Sequence, residues 1–321
     1  MLPVNEGFKL FRRLGRGQFG EVFLAEAPGG VNVAVKRIFR SLDDESSQRE
    51  LQSLQLIREL RHPFLLQTQA FWSLEDRLVI VMELADGSLA EWNDEVKTGI
   101  PVAELLTYFR EATEALDYLH AMNVIHRDVK PANLLRLKGH AKVADFGLAR
   151  MMESQQLVTA TLCGTPRYMA PETWKKMVCP QSDQYSLAAA YAEMRTGRPL
   201  FPGGDFMEMC LQHTSAAPDL KPLGEAEQGV LLRALAKDPD QRYPDCRSFV
   251  EALGAALAPP PPTAGDRQDH RMAGSRLRLG RHRHAPTAAP RTDRNGSGMV
   301  AFESASGVSR FGSSPGRLTT K

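Results

Sequence analysis

The spacing of apolar positions changes along the chain, predicting a strand-rich first part and a helix-rich remainder. From Phe8-Lys9-Leu10 onward, apolar and polar residues alternate. The alternation returns in Glu21-Val22-Phe23-Leu24-Ala25-Glu26 after a glycine-rich stretch, as half-buried strands joined by a hairpin would have it. Val33-Ala34-Val35-Lys36 is a β-branched strand ending on a lysine, and Leu78-Val79-Ile80-Val81-Met82-Glu83 is apolar enough for a buried strand. Residues 46–60 take a helical period, with Leu54, Ile57 and Leu60 among the apolar positions. From Ala103 to Met122, apolar positions 105, 109, 112, 116 and 119 repeat by fours and threes and predict a long amphipathic helix. Ala141-Lys142-Val143-Ala144 alternates like a short strand. Ser182-Asp183 reads as the cap of a helix from Tyr185 to Thr196 that Gly197 ends, and a last apolar helix covers Cys246 to Leu257. The 28 residues from Asp145 to Glu172 show no such period. A long irregular stretch inside a compact domain is usually functional or disordered.

The pattern stops at Pro259-Pro260-Pro261-Pro262. Beyond it, Arg, Gly, Ser, Ala and Pro dominate and large apolar residues are too few for a core. We therefore expect an ordered domain over 1–258 and a disordered basic tail over 259–321. Charge separates the two. The tail holds eleven Lys/Arg against four Asp/Glu, so a net charge of +2 hides a body of −5 and a tail of +7. Arg276-Leu277-Arg278 and Arg281-His282-Arg283-His284 can attract an anionic partner, nucleic acid or lipid head groups. No aromatic residue precedes Phe302 to stack on bases, and a solvated linker is the plainer account. With 42% hydrophobic and 24% charged residues the composition is that of an ordinary globular protein. There is no apolar run long enough for a membrane span, and MLPVNEGFKL lacks the regions of a signal peptide. Cys163, Cys179, Cys210 and Cys246 are widely spaced and form no C-x-x-C pair, which suits free thiols in a cytoplasmic setting.

The candidate chemistry centres on Val124-Ile125-His126-Arg127-Asp128-Val129-Lys130-Pro131-Ala132-Asn133-Leu134-Leu135. A short loop between apolar ends can carry Asp128, Lys130 and Asn133 on one rim. Asp128 can accept a hydroxyl proton, Lys130 can neutralise a phosphate, and Asn133 can bind a metal ion through its amide oxygen. Asp145-Phe146-Gly147 follows with a second metal-binding carboxylate. Near the N-terminus, Gly15-Arg16-Gly17-Gln18-Phe19-Gly20 leaves room for phosphates to approach backbone N–H groups. Such spacing also marks dinucleotide-binding folds, but there it opens a helix, whereas here a strand follows. No G-x-x-x-x-G-K-[ST] occurs, so nothing supports a P-loop enzyme. Alone, the strand-ending Lys36 would be an ordinary solvated residue.

In this order, the motifs resemble those of eukaryotic-type serine/threonine protein kinases, with a bacterial flavour, over residues 8–258. The resemblance implies an α+β bilobal fold. Its N-lobe (about 1–84) is a small antiparallel sheet with one helix, and its C-lobe (about 85–258) is larger and mainly helical, with ATP between them. It implies catalytic roles for Asp128, Lys130, Lys36 and Thr165, the last bridging Asp128 and Lys130. Asn133 and Asp145 would hold Mg²⁺, with Mn²⁺ as the alternative. Leu14, Gly15, Gly17, Gly20, Val22, Ala34, Lys36, Met82, Glu83, Ala85 and Leu135 would bind the nucleotide, with hinge contacts through the backbone of Glu83 and Ala85. Glu50 would pair with Lys36, although it lies about one helical turn farther from His62-Pro63 than the family pattern asks; Glu45 is the alternative. His126 would be structural. An aspartate at Asp183 would tie down the loop backbone, and Arg242 would pair with Glu172. Lys130 in DVKPAN and Thr165 in GTPRYMAPE imply serine/threonine specificity toward protein substrates. Thr161, with Arg127 and Arg150 as its cationic partners and Thr159 as runner-up, would be the activating phosphorylation site. Two other classes compete: a pseudokinase, favoured only by the displaced Glu50, and an interaction protein working through its basic tail.

Overall fold

A computed structural model describes residues 7–17, 20–41, 59–75, 77–146 and 166–258. Contacts group Met1–Pro260 into one unit and Pro261–Lys321 into another, and the described architecture lies within the first. It opens with β1 (Lys9–Arg16), β2 (Gly20–Ala27), β3 (Val31–Ser41), β4 (Thr68–Leu74) and β5 (Arg77–Glu83). These pair antiparallel in the order β1-β2-β3-β5-β4. The helix expected over residues 46–60 falls almost wholly outside the described residues.

Period two divides this sheet into faces with different tasks. Ala25, Val33, Val35, Val79 and Val81 form a small core on one side, with Phe8 and Trp72 packed on it. Ala34, Ile38, Ile80 and Met82 belong to the large core on the other side. Lys36 lies between Ala34 and Ile38 in sequence, so it points to this second face, across from Val22 on β2 and Ile80 on β5. The strand alternation thus brings a lysine amine to an otherwise apolar wall.

After β6 (Gly87–Ser88) the chain turns helical: α1 (Leu89–Val96), α2 (Val102–Ala121), α3 (Pro180–Thr196), α4 (Phe206–Ser215), α5 (Glu225–Ala234) and α6 (Cys246–Ala256). Two strands, β7 (Leu134–Leu137) and β8 (His140–Val143), close a three-stranded sheet with β6. Leu105, Phe109, Ala112, Leu116 and Leu119 of α2 are buried at the predicted helical spacing. Helix α3 is buried nearly all round, including Asp183 and Gln184, so it forms the pillar of this half.

The α3 cap differs from the expectation. It is Cys179, with Pro180 in the first turn, and the Ser182 hydroxyl accepts the Cys179 N–H at 3.2 Å. Ser182 and Asp183 therefore lie inside the helix. Proline supplies the starting φ without losing a hydrogen bond, since the first-turn N–H groups have no helical acceptor. The same region is fixed from the far end of the chain. Both terminal guanidinium nitrogens of Arg242 donate to Glu172 at 2.8 Å, and Arg242 also donates to backbone carbonyls of Gln181 and, through Nε, Ala236.

Candidate active site

Between the five-stranded sheet and the helices lies a cleft of about 850 Å³. Leu14, Gly15, Gly17, Gly20, Val22, Ala34, Lys36, Met82, Glu83, Ala85, Asp128, Lys130, Asn133, Leu135 and Asp145 all line it. Glu50 and Thr165, the other two residues expected there, lie outside the described residues, as do Gly147, Arg150, Thr159 and Thr161.

The three glycines serve two ends. A Cβ at Gly20 would sit 2.3 Å from the Arg37 carbonyl oxygen, so β2 could not pair closely with β3 there. At Gly15 and Gly17 an added Cβ would meet nothing within 4 Å. Packing among the described residues does not require those two glycines, and they leave the roof of the cleft open for a ligand. The turn between them closes through a Gly17 N–H to Gly20 carbonyl bond of 2.9 Å.

Opposite the roof, the loop after α2 is pinned from behind. The Asp183 carboxylate, on α3, accepts the backbone N–H groups of His126 and Arg127, both at 2.8 Å, and lies 2.7 Å from His120 Nε2. Arg127 adopts φ +68°, a left-handed conformation that costs a non-glycine residue of order 1–3 kcal/mol. The buried aspartate compensates by holding its N–H. Burial opposes charging of His120, but hydrogen bonds to Asp117 and Asp183 prevail and push its pKa up to about 9. The Asp183 carboxyl, although burial works to raise it, is held below the usual range by His120. His126 Nε2 lies 2.9 Å from the Ala144 carbonyl, while its Nδ1 accepts the Asp128 N–H at 3.3 Å. Only a neutral ring protonated on Nε2 satisfies both contacts. His126 is therefore a brace between the loop and the segment carrying Asp145.

The reactive groups converge in front of this brace. Lys130 Nζ is 2.7 Å from Asp128 Oδ2. Asn133 Nδ2 donates to the Asp128 carbonyl at 2.8 Å and to Oδ2 at 3.0 Å, which turns the amide oxygen to the other side as a ligand atom. Lys36 Nζ is 2.7 Å from Asp145 Oδ2. Burial works to raise the Asp145 carboxyl, but the Lys36 ammonium holds it below the usual carboxylate range. Asp145 also takes φ +63°, again left-handed, and its side chain keeps 29% exposure toward the cleft. Two carboxyl groups, an amide oxygen and two lysine amines around one cavity suit a divalent ion and a polyphosphate.

Other lining residues carry no signal of their own in the sequence. Leu66 and Ala144 extend the apolar wall; Arg12, Glu91, Arg167 and Met209 reach the cleft from four separate segments. Arg167 belongs to the GTPRYMAPE stretch, but no local motif announces that it or the others reach the cleft, because their nearness is a product of tertiary packing. Among the described residues, no helix is long and apolar enough to cross a membrane.

A family model described as "Protein kinase domain" matches residues 8–252. The chain is 33% identical over 298 residues to serine/threonine-protein kinase PknF of Mycobacterium tuberculosis, covering 85% of this chain and 61% of that protein. It is 32% identical over 268 residues to serine/threonine-protein kinase Pkn1 of Myxococcus xanthus, covering 78% and 38%. Similarity reaches plants: CBL-interacting protein kinase 4 of Oryza sativa subsp. japonica is 34% identical over 266 residues, covering 79% and 57%. The chain thus spans about three fifths of the length of the first of these relatives, or less.

Proposed function

The chain belongs to the protein kinase domain family, and from that premise we propose that it transfers the γ-phosphoryl group of ATP to serine and threonine hydroxyls of proteins. One observation carries this reading: Lys36, the loop residues Asp128, Lys130 and Asn133, and Asp145, from three separate stretches of sequence, line one cleft beneath glycines that meet no described neighbour.

Phosphoryl transfer is mainly positioning and charge stabilisation, and each group has a task of that kind. Ala34, Val22, Met82 and Leu135 flank the adenine, with the backbone of Glu83 and Ala85 at its polar edge and Leu14 at the rim. Lys36 holds phosphate oxygens. Asp128 orients the acceptor hydroxyl and takes its proton, and Lys130 meets the transferred group. Asn133 and Asp145 would hold the metal, Mg²⁺ with Mn²⁺ as the alternative, which supplies charge compensation for the phosphates. Thr165 steadies Asp128 and Lys130. Glu50 draws Lys36 into place; charge reversal at Glu50 should cut activity sharply and reversal at Glu45 should not.

The test is incubation with labelled ATP and Mg²⁺ beside Asp128→Asn and Asp145→Ala, followed by phosphosite mapping. Wild-type protein should label Ser and Thr, and both variants should lose several orders of magnitude in rate. Wild-type turnover in Asp145→Ala would remove the assignment. The relatives' printed names favour serine/threonine over tyrosine specificity. Free thiols at Cys179, Cys210 and Cys246 suit a cytoplasmic setting. The catalytic domain spans 1–258 in this reading. The basic tail 259–321 is in this reading a solvated linker; an anionic partner for it is the second account, tested by deleting it and comparing binding to nucleic acid and to anionic vesicles.

A further inference from the structure

Asp117 and His120 stand one turn apart on α2, and Cys246 opens α6 where that helix packs on α2. One ligand atom from each of the three side chains lies within 4.8 Å of the other two. None of the three lines the cleft, and the phosphoryl-transfer reading gives Asp117 and Cys246 no task.

The surrounding contacts set the donors in place. Asp183 Oδ2 lies 2.7 Å from His120 Nε2 and accepts the His126 N–H at 2.8 Å, while Oδ1 accepts the Arg127 N–H. A carboxylate in that role only accepts, so the His120 ring carries a hydrogen on Nε2. Nδ1 faces Asp117 Oδ1 at 3.8 Å. Histidine ligands of metals ordinarily donate their other N–H to a carboxylate or carbonyl, which fixes the ring and strengthens it as a ligand. Each Asp117 oxygen accepts one backbone N–H at 3.0 Å, from Cys246 and from Arg247, and keeps a second lone pair. Those bonds fix the carboxylate against the start of α6, where Cys246 is buried. Burial and the carboxylates of Asp117, Asp183 and Asp245 keep its thiol protonated. Three carboxylates around one imidazole leave an excess of negative charge that a divalent cation offsets, and a coordinating thiol is deprotonated outright.

We propose that Asp117, His120 and Cys246 form a zinc site that joins α2 to α6 behind the catalytic loop, with His120 bound through Nδ1. A sulfur, an imidazole nitrogen and a carboxylate oxygen suit Zn²⁺. Asp117, with 21% of its side chain exposed, gives the ion a way in and leaves the fourth position to water. As the ion enters, the thiol proton of Cys246 and the Nδ1 proton of His120 leave to solvent, so a positive centre still faces Asp117. The His120–Asp183 bond is kept and the loop stays pinned. The site does not depend on the phosphoryl-transfer reading, because it is read by metal content, an absorption band and Tm.

The experiment uses the untagged full chain, stripped with EDTA and returned to a buffer containing Mg²⁺, which occupies the cleft. Zn²⁺ should bind at one equivalent per chain, and Co²⁺ in its place should give a near-ultraviolet thiolate-to-cobalt band. At about a hundredfold excess over Kd, Zn²⁺ should raise Tm by about 5–10 °C. Cys246→Ser should lose both the band and the Tm rise, whereas Cys179→Ser and Cys210→Ser should keep them. Asp117→Asn should weaken zinc binding at least about tenfold, since even the outer partners of metal ligands are worth that much. A missing cobalt–thiolate band, or a band and Tm rise that survive in Cys246→Ser, would overturn the proposal. Zinc held without that band, as surface histidines hold it, would do the same. If Cys246→Ser does not fold, Asp117→Asn decides, and unaltered zinc affinity there would refute the site.

Discussion

Replacing Asp183 with asparagine changes one atom and should disable the catalytic loop. The carboxylate, 1% exposed, accepts two backbone N–H groups and faces the His120 imidazolium. An amide keeps one acceptor oxygen and turns an NH₂ toward a donor. One buried N–H then goes unsatisfied, costing about 1–3 kcal/mol. The second loss is electrostatic. Raising His120 from its ordinary 6.5 to about 9 stabilises the fold by about 3 kcal/mol, shared between Asp117 and Asp183. Together the variant should lose roughly 3–4 kcal/mol, consistent with breaking a buried charged pair. The sign of the pH effect follows from the raised value. His120 contributes its full stabilisation below pH 6.5, and this is lost as pH rises through about 9. Urea unfolding between pH 6 and 9.5 should therefore show an alkaline decline in wild type and a much shallower one in Asp183→Asn. Turnover of labelled ATP should fall at least about a hundredfold, because Arg127, held left-handed by this carboxylate, directly precedes Asp128. Unchanged stability together with an unchanged alkaline slope would refute the reasoning.

Glu172→Gln should cost about 3–5 kcal/mol in urea unfolding, because it leaves the buried Arg242 guanidinium without its counter-charge. Burial works to raise the Glu172 carboxyl, but Arg242 holds it below its ordinary 4.5. Its contribution is therefore present above that value and lost as pH falls through the folded one, so the wild-type advantage should shrink in acid. Gly20→Ala should lower the Tm by several degrees, whereas Gly15→Ala and Gly17→Ala should leave Tm intact and raise the KM for ATP several-fold. Thr161→Ala and Arg127→Ala should each reduce activity, with mass spectrometry finding phosphate on Thr161 of active protein. A phosphate there would be gripped by Arg127 and Arg150 through charge-assisted hydrogen bonds, and full activity with Thr161 unmodified would remove this mechanism.

The sequence by itself determined the local features. Strand alternation around Val33–Lys36 sorts side chains to two faces through a period of two, so the place of Lys36 in its strand already assigns it to the face of Ala34. The fours-and-threes pattern of α2 gave its buried stripe for the same reason, and the DVKPAN loop and the glycine hairpin were legible because each motif is contiguous. Contiguity also explains the error at α3. Ser182-Asp183 has the composition of a cap, but Pro180 starts the helix earlier; Ser182 serves the cap from inside the helix and bonds Glu172, while burial turns Asp183 to partners more than fifty residues away. Tertiary structure alone decided that His120 becomes a buried cation between two aspartates, and that Gly20 is held by β3 while Gly15 and Gly17 meet no described neighbour. A residue's type fixes the bonds its side chain can make. Which of them it does make depends on elements dozens of residues away, and on water being excluded where they pack.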